Sequence, residues 1–358
     1  MTPPDTPSPP RRMVFTICSK NYLPRARILI ASLRKFMGDW SAGLILADET
    51  EEADQLSAYV GTKILPARAL DLPTYDDMAM RYDVLEFNTA VKPAAFQYWF
   101  QQGFDQVIYL DPDTELMSPL DEVASALDKG ARGVITPHIT GPLDMDKDPT
   151  ELKLIRTGIY NLGFAAFSRS PETYSFLSWW SSKMPTECRV DLDAGIFVDQ
   201  KYVDMMPSYL PGTHILRHPG YNVAYWNLAQ RKLNRAPDGG WLSSDESLRF
   251  MHYSGFGQAE GQTVSIHQSR LLLPDLCEGA ELFEDYRQRI RQFTEELKST
   301  KIDLAYAYDH FASGEPVLPL LRRVYAKYTP PHKGNWQEVF DLGRSAYLKG
   351  FTGINHAS

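Results

Sequence analysis

The chain is short of cysteine. It has three in 358 residues, Cys18, Cys188 and Cys277, scattered and odd in number. That pattern argues against a disulfide framework and predicts a reducing, cytoplasmic setting. None of the three has another Cys or a His at ligand spacing, so none looks like part of a zinc site. Long apolar runs are also missing, and no stretch approaches the ~20 residues of a membrane-spanning helix. Residues 1–12 are rich in Pro and Ser and lack the apolar centre of a signal peptide, so they are expected to form a disordered lead-in. An excess of positive charge is absent too: 45 acidic against 37 basic side chains give a formal charge of -8. That argues against non-specific binding of nucleic acid. Glycine-rich phosphate loops are missing where they would be expected. Ser19-Lys20-Asn21-Tyr22, which follows the first apolar run, contains neither G-x-G-x-x-G nor a Walker lysine. The dinucleotide and nucleoside triphosphatase readings are correspondingly weak.

What is present is an ordinary globular composition, 43% hydrophobic and 23% charged. The length suits one large α/β domain, alone or with a helical appendix. Apolar runs over 13–18, 43–47, 63–66, 107–110, 133–136, 160–167 and 248–253 read as strands. Helical spacing covers 24–37, 51–59, 81–102 with a break near Lys92-Pro93, and 120–128. A further helix bears Phe176, Leu177, Trp179 and Trp180, which are expected in the core. This alternation predicts an α/β fold on a mainly parallel, doubly wound sheet flanked by helices. Residues 138–149, rich in Gly, Pro and Asp, read as a mobile loop placed like a lid. The composition changes near Pro274, and helices are expected over 282–297 and 319–328. The chain therefore divides into a lead-in 1–12, a main domain 13–274 and a helical C-terminal extension 275–358. Arg322, Arg323, Lys327 and Lys333 of that extension offer either a contact to an anionic membrane surface or a solvated basic face.

The chain is organised around the run from Val107 to Leu116. VIYL reads as a buried strand, and Asp111-Pro112-Asp113 follows at once. Ligands in open α/β sheets collect beyond the carboxyl ends of strands, which is where these two carboxylates fall. Two like charges so close repel unless a positive group lies between them, and carboxylate oxygens suit Mg2+ or Mn2+. Asp-Pro-Asp-Thr is equally ordinary turn chemistry, so the motif alone decides little.

Taken in order, the segments resemble glycosyltransferases of the GT-A fold, in particular the retaining family typified by glycogenin and bacterial galactosyltransferases. The likeness spans roughly residues 13–270. Asn21-Tyr22 looks like that family's nucleotide-contacting pair after the first strand, and Lys92 stands where it keeps a basic residue for the diphosphate. Asp111 and Asp113 look like its metal-binding carboxylates, and His252 like the late His that completes the metal site. Asn161-Leu162-Gly163 resembles its strand along the donor sugar, and Asp199-Gln200 its pair beside the reacting carbon. Thr16 and Arg270 complete the set expected to touch the donor. The resemblance implies a Rossmann-like sheet and a Mn2+ or Mg2+ ion. The implied donor is a nucleoside diphosphate sugar, a UDP-sugar first among them, and the acceptor a saccharide or lipid-linked saccharide. Other segments, Asn-Val-Ala-Tyr-Trp-Asn-Leu and His-Tyr-Ser-Gly-Phe, look like bacterial enzymes of surface-polysaccharide synthesis, which implies a cytoplasmic protein working at the inner face of the membrane.

One departure stands out. The family usually carries a Lys shortly after the late His-x-x-Gly, whereas Gly255-Phe256-Gly257-Gln258 has none. Arg270 or His267 is left to supply the missing positive group. Asn161 and Gln200 are neutral and cannot serve as strong bases, which fits transfer with retention. Asp199 would contact donor hydroxyls or act as a nucleophile, and Asp191 and Asp193 are the remaining acidic candidates. Three competing classes remain: a metal-dependent phosphohydrolase, a sugar nucleotidyltransferase and a non-catalytic sugar-binding protein. The first normally uses its first strand and has Thr or Val where Glu115 stands. The second needs a Gly-rich, Arg-containing loop near the start, and the third has no need of Asp111, Asp113 and His252 together.

Overall fold

The computed structural model describes residues 9–144, 146–257, 261–311, 313–335, 337–339, 341–343 and 345. Most of the expected lead-in lies outside these residues, as do Met145 of the 138–149 loop, Gln258 and the chain from 346 onward.

Strand β1 (Arg12–Cys18) is buried along nearly its whole length, as a central strand covered on both faces must be. Helix α1 (Leu23–Phe36) has Pro24 in its first turn, where a missing N–H costs nothing. It turns Ala26, Leu29, Ile30 and Leu33 to the sheet. Strand β2 (Ser41–Leu46), helix α2 (Ala53–Val60) and strand β3 (Ile64–Pro66) continue the alternation. Helix α3 (Tyr75–Arg81) ends where the helical stretch 81–102 was expected to begin, and that stretch is two helices, broken at Val91 beside the expected Lys92-Pro93. Asp83 caps α4 (Val84–Ala90), exchanging hydrogen bonds with Glu86 in a reciprocal capping box. Helix α5 (Lys92–Gln101) starts afresh with Lys92-Pro93 in its first turn, where proline is tolerated.

Strand β4 (Gln106–Leu110) is buried throughout and is followed by the short strand β5 (Thr114–Leu116). Then come α6 (Asp121–Asp128), β6 (Gly133–Pro137), α7 (Glu151–Thr157), β7 (Tyr160–Ser168) and α8 (Pro171–Glu187). A hairpin of β8 (Val190–Asp191) and β9 (Ile196–Phe197) leads to α9 (Gln200–Val203), α10 (Met206–Tyr209) and β10 (Thr213–Ile215). The main sheet has seven strands in the order β10-β6-β7-β4-β1-β2-β3. Its neighbours are parallel except around β7, which runs against both β4 and β6. The fold is thus α/β with a mainly parallel sheet flanked by helices. The reversal of β7 brings its amino end, not its carboxyl end, beside the carboxyl end of β4, with Phe164 opposite Leu110.

Each face of the sheet carries a core. One gathers α3, α4, α5 and α8 around Phe15, Phe96, Phe167, Phe176, Leu177 and Trp180, while Trp179 packs at its edge. The other gathers α1, α2 and α6 around Val14, Leu44, Leu56 and Val123. Beyond the sheet, β11 (Leu233–Arg235), β12 (Trp241–Ser243) and β13 (Glu246–Ser247) form a small antiparallel sheet. Strand β14 (Phe250–His252) pairs with β5 as an antiparallel ribbon. Helix α11 (Ala280–Ser299) buries Leu282, Phe283 and Tyr286 against Met251, Tyr253 and Phe256. Helix α12 (Pro319–Tyr328) packs Leu321 and Tyr325 on Met80 of α3.

Of the basic residues expected on this extension, Arg322 is turned inward, while Arg323, Lys327 and Lys333 are exposed. Arg322 is buried and donates to the carbonyl oxygens of Ala79, Met80, Tyr82 and Tyr308. Arg323 pairs with the buried Glu86 at 2.7 Å. The reason is physical: α3 ends at Arg81 with carbonyls that have no helical partner, and a guanidinium satisfies several at once. Arg322→Met removes those donors and is expected to lower unfolding stability by about 3 kcal/mol or more. Urea denaturation of the two proteins checks this, and a change below experimental error would show that water replaces the guanidinium freely.

Candidate active site

Asp111-Pro112-Asp113-Thr114 does form a turn, and the turn is what holds the carboxylates. Asp111 N donates to Gly163 O at 2.9 Å, while Thr114 closes the turn by donating to Asp111 O from N at 3.1 Å and from Oγ1 at 2.7 Å. The chain then enters β5, whose Thr114 lies opposite His252 of β14. Tyr253 N donates to Asp113 O at 2.9 Å, fastening the second strand to the turn itself. In this way residues far apart in the chain meet: His252 Nε2 stands 3.2 Å from Asp113 Oδ1 and 3.6 Å from Asp111 Oδ2.

The imidazole is held in one orientation by a line of amides. Gly163 N donates to Asn161 Oδ1 at 3.0 Å, which fixes that atom as the oxygen. Asn222 Nδ2 donates to the same oxygen and to Thr136 Oγ1, both at 3.0 Å. The oxygen of Asn222 is therefore left facing His252 Nδ1 at 3.0 Å, so Nδ1 carries a hydrogen and Nε2 points at the carboxylates. The line continues from Asn161 Nδ2 to Gln200 Oε1 at 3.2 Å; Gln200 also accepts from Leu162 N at 3.0 Å and donates to Thr157 O at 3.0 Å. His138 Nε2 accepts from Asn161 Nδ2 at 3.3 Å, and burial pushes this imidazole down to about 4. Trp226 is buried with its ring edgewise to both His138 and His252. Gly163 has no side chain for a reason. A Cβ there would lie 2.2 Å from His252 Cε1 and 2.5 Å from Nδ1.

Beneath this group lies a buried ion pair. Lys92 Nζ is 2.7 Å from Asp199 Oδ2, donates to Leu162 O at 3.2 Å and sits 4.5 Å from the centre of the Tyr109 ring. Tyr109 donates its hydroxyl to Asp111 Oδ1 at 2.6 Å. Burial raises the Asp111 and Asp199 carboxyls above the ordinary range, with Lys92 opposing in both cases. Burial also pushes Asp113 up, but His252 and Arg25 outweigh it and leave this carboxyl below its usual value. For His252 burial works downward, and Asp113 and Asp111 win, so the imidazole is raised.

Asn21, Tyr22, Asp111, Asp113 and His252 line one cleft of about 410 Å³, together with Ser19, Asn88, Thr89, Ser254 and His267. A larger cavity, about 1040 Å³, lies elsewhere, between α1, β5, β12 and α11. It contains no convergent set of metal-binding groups among the described residues, so the chemistry points to the smaller cleft. Other residues expected to touch a donor take different places. Lys92, Asn161, Asp199 and Gln200 are buried behind the cleft wall, and Gly163 backs His252. Thr16 is buried in β1, and its hydroxyl has no hydrogen-bond partner among the described residues. The guanidinium of Arg270 is spent on the carbonyl oxygens of Asp144, Lys147 and Pro149. The 138–149 loop is thereby fastened, with Gln230 bonding Gly141 O and Pro142 O as well. Asn222, Asn88 and Thr89 were not singled out in the sequence. Asn222 entered only as the first residue of Asn-Val-Ala-Tyr-Trp-Asn-Leu, with no site role, and it takes a positive φ of 52°, which asparagine tolerates.

The donor set fits a divalent cation. The ligand atoms of Asp111, Asp113 and His252 all lie within 4.8 Å of one another. Neighbouring ligands around an octahedral ion bound at about 2.1 Å are about 3 Å apart, close to the separations here. Two carboxylates and an imidazole suit Mn2+ at least as well as Mg2+. Asn222→Gly deletes the amide that sets the His252 tautomer, at a positive φ that glycine accepts freely. Mn2+ affinity is expected to fall about 10–100-fold, as for other partners that orient a metal-binding His. Titration of Mn2+ followed by electron paramagnetic resonance measures it, and an unchanged affinity would refute the orienting role.

No family model matches the chain. An uncharacterized protein of Bacillus subtilis, YfnD, is 23% identical over 245 residues, covering 67% of this chain and 76% of its own length. Among solved structures, mouse xyloside xylosyltransferase 1 aligns with 67% of this chain and 97% of its own, at 13% identity and a TM-score of 0.41. LgtC, a galactosyltransferase solved with donor and acceptor sugar analogues, aligns with 77% of this chain and 95% of its own, at 13% identity and a TM-score of 0.47.

Proposed function

We propose that the protein is a GT-A glycosyltransferase that moves a sugar from a nucleoside diphosphate sugar to a saccharide or lipid-linked acceptor, using a divalent cation and retaining the donor's anomeric configuration. The observation that carries this reading is the cleft itself. Asp111, Asp113 and His252 converge at the carboxyl end of β4, beside Asn21-Tyr22 at the carboxyl end of β1. Such crevices at strand ends are where open α/β sheets bind nucleotides. Asp111, Asp113 and His252 would hold Mn2+ or Mg2+, and a bound ion would offset the charge that grows on the diphosphate as the glycosidic bond breaks. Asn21 and Tyr22 line the same cleft and are assigned to the nucleotide, a UDP-sugar being the first candidate donor.

Retention draws support from where the carboxylates lie. Asp111 and Asp113 are the acidic side chains among the residues lining the cleft, and both belong to the cation group. Asp199 is buried and paired with Lys92. Asp191 and Asp193 bond Arg189 and Arg156 on and beside the β8–β9 hairpin. None of these is presented as a base for an acceptor hydroxyl. Asp199 and Gln200 are assigned as positioning residues, Asp199 through Lys92 and Gln200 through Asn161. Among the described residues no helix is long and apolar enough to cross a membrane. A place in bacterial surface-polysaccharide synthesis, at the cytoplasmic face of the membrane, is the setting proposed for the enzyme.

The test is release of nucleoside diphosphate from a panel of nucleotide sugars, with Mn2+, with Mg2+ and with chelator. Activity should vanish in chelator and return with the metal. Asp113→Asn should lower turnover by roughly a thousandfold or more while the melting temperature changes little, since several kcal/mol of charge stabilisation are lost. Proton NMR of the fresh product from an α-linked donor should show an α linkage. Undiminished transfer in chelator would sink the metal-dependent reading, and a β-linked product would sink retention.

A further inference from the structure

Late in the chain Ser254, Gly255 and His267 line the cleft, and the sequence from 254 to 271 lacks the lysine that the resemblance implies. Most cations nearby are already committed. Lys92 is buried on Asp199, and Arg270 is spent on three carbonyl oxygens of the 144–149 stretch. Lys20 is buried beside Asp48, 4.0 Å away, and Arg25, its guanidinium over the Tyr22 ring at 4.5 Å, is not among the residues lining the cleft. His267 is different. It is exposed, it lines the cleft with Asp111, Asp113 and His252, and neither ring nitrogen has a hydrogen-bond partner among the described residues.

The loop that presents His267 is built to hold it. Ile266 N donates to Gly255 O at 3.3 Å, and His267 N donates to the buried Ser265 Oγ at 3.1 Å. Gln268 Oε1 accepts from Arg270 N and Leu271 N, and Ser269 exchanges hydrogen bonds with Asp148. Lys153 Nζ donates to His267 O at 3.4 Å. The imidazole lies against Gly255, where a Cβ would come within 2.6 Å of Cδ2 and 3.0 Å of Nε2, and its ring centre is 5.7 Å from that of Tyr225. Gly255 has a φ of 70°, so glycine is favoured there on two counts, backbone and close approach. The backbone is fixed and the ring faces the cleft with both nitrogens open to solvent, so a phosphate oxygen entering there can replace water on an imidazole N–H without breaking a bond of the fold.

We propose that His267 is the protein's hydrogen-bond contact to the diphosphate of the nucleotide held in this cleft, taking the place of the absent lysine. The inference rests on the nucleotide-sugar reading above. It names an N–H of the imidazole as donor to a phosphate oxygen, and it assigns Arg270 to the loop rather than to the ligand. Hydrogen bonds to charged groups contribute enough that loss of one such contact is read as about tenfold or more in affinity.

Calorimetric titration in Mn2+ with UDP, GDP, CDP and ADP, and with the four nucleosides, tests it on the full-length protein and on His267→Ala, His267→Asn and His267→Lys. For whichever diphosphate binds wild type, His267→Ala should weaken binding about tenfold or more and leave the matching nucleoside unchanged. His267→Lys, which restores a donor of the missing kind, should recover most of the loss. Full-strength diphosphate binding by His267→Ala overturns the assignment while leaving the nucleotide-sugar reading intact. Equal losses for diphosphate and nucleoside overturn it in favour of a structural role. If wild type binds no nucleoside diphosphate, the parent reading fails and this inference fails with it.

Discussion

Three carboxylates, Asp199 buried and Asp111 and Asp113 partly buried, share one region, and their mutual repulsion is the constraint on everything around them. The chain meets it with cations of its own, Lys92 and His252 in contact and Arg25 from farther off. Lys92 answers Asp199 and, across the Tyr109 ring, Asp111; His252 answers Asp113. The arrangement leaves Asp111, the raised carboxyl that lines the cleft, under-compensated, pushed up by burial even with Lys92 and His252 nearby. A site with surplus negative charge that its own side chains do not balance is a site prepared for a further cation. The Lys92–Asp199 pair is equally a structural device. It lets a lysine sit under the cluster at the first turn of α5, where its charge is felt while its amine stays out of the cleft.

The direction of β7 follows from the same need. A strand parallel to β4 would bring its carboxyl end to the site. Running the other way, β7 delivers its first residues, Asn161 to Gly163, beside Asp111. Those residues do two jobs that need no charge. Gly163 makes room for the imidazole, and Asn161 begins the amide line that ends at His252 Nδ1. Because Gly163 N and Leu162 N donate into the line, the backbone of β7 decides which way Asn161 and Gln200 face. The tautomer of His252 is therefore written by a strand it does not belong to. Such preorganisation explains why neutral amides, rather than further carboxylates, fill the space behind the cluster: more charge there would raise the repulsion it exists to manage.

Much of this was legible in the sequence, and the parts that were not share a cause. The alternation of apolar runs announced the sheet, because strand and helix periods are local properties. Asp111 and Asp113 were legible because a polar pair right after a buried strand can only emerge at its end. His252 was legible only by its order after them, and the fold brings it within 3.6 Å of both. The direction of β7 was not legible, since an apolar run reads the same in either sense. Asn222 was missed because a buried asparagine declares itself only through distant partners, Thr136 and Asn161, 86 and 61 residues away. Arg270 and His267, three residues apart, were indistinguishable as carriers of positive charge until the fold turned one toward the carbonyls of a loop and the other toward the cleft. The basic residues of α12 were ambiguous for the same reason: hydrophilicity says nothing about whether a guanidinium meets water or a helix end.

The segment after Pro274 shows how far the site's supports extend. The β5–β14 ribbon is two short strands, and a two-stranded ribbon is marginal by itself. Helix α11 braces both strands from outside. Arg289 forms a two-pronged pair with Glu115, at 2.6 and 2.7 Å, two residues beyond Asp113. Tyr286 stacks on Tyr253, with ring centres 3.7 Å apart and 11° between planes, one residue beyond His252. Glu115 is buried, so its charge needs that guanidinium, and the fork geometry fixes where the strand can lie. Each strand of the ribbon is thus pinned next to the cation-facing residue it carries. The composition change near 274 marks a shift from sheet to helix, yet α11 lies against the very strands that hold Asp113 and His252. Helix α11 therefore holds the spacing between the two halves of the cation site, a distance that the ribbon's few hydrogen bonds would set only loosely.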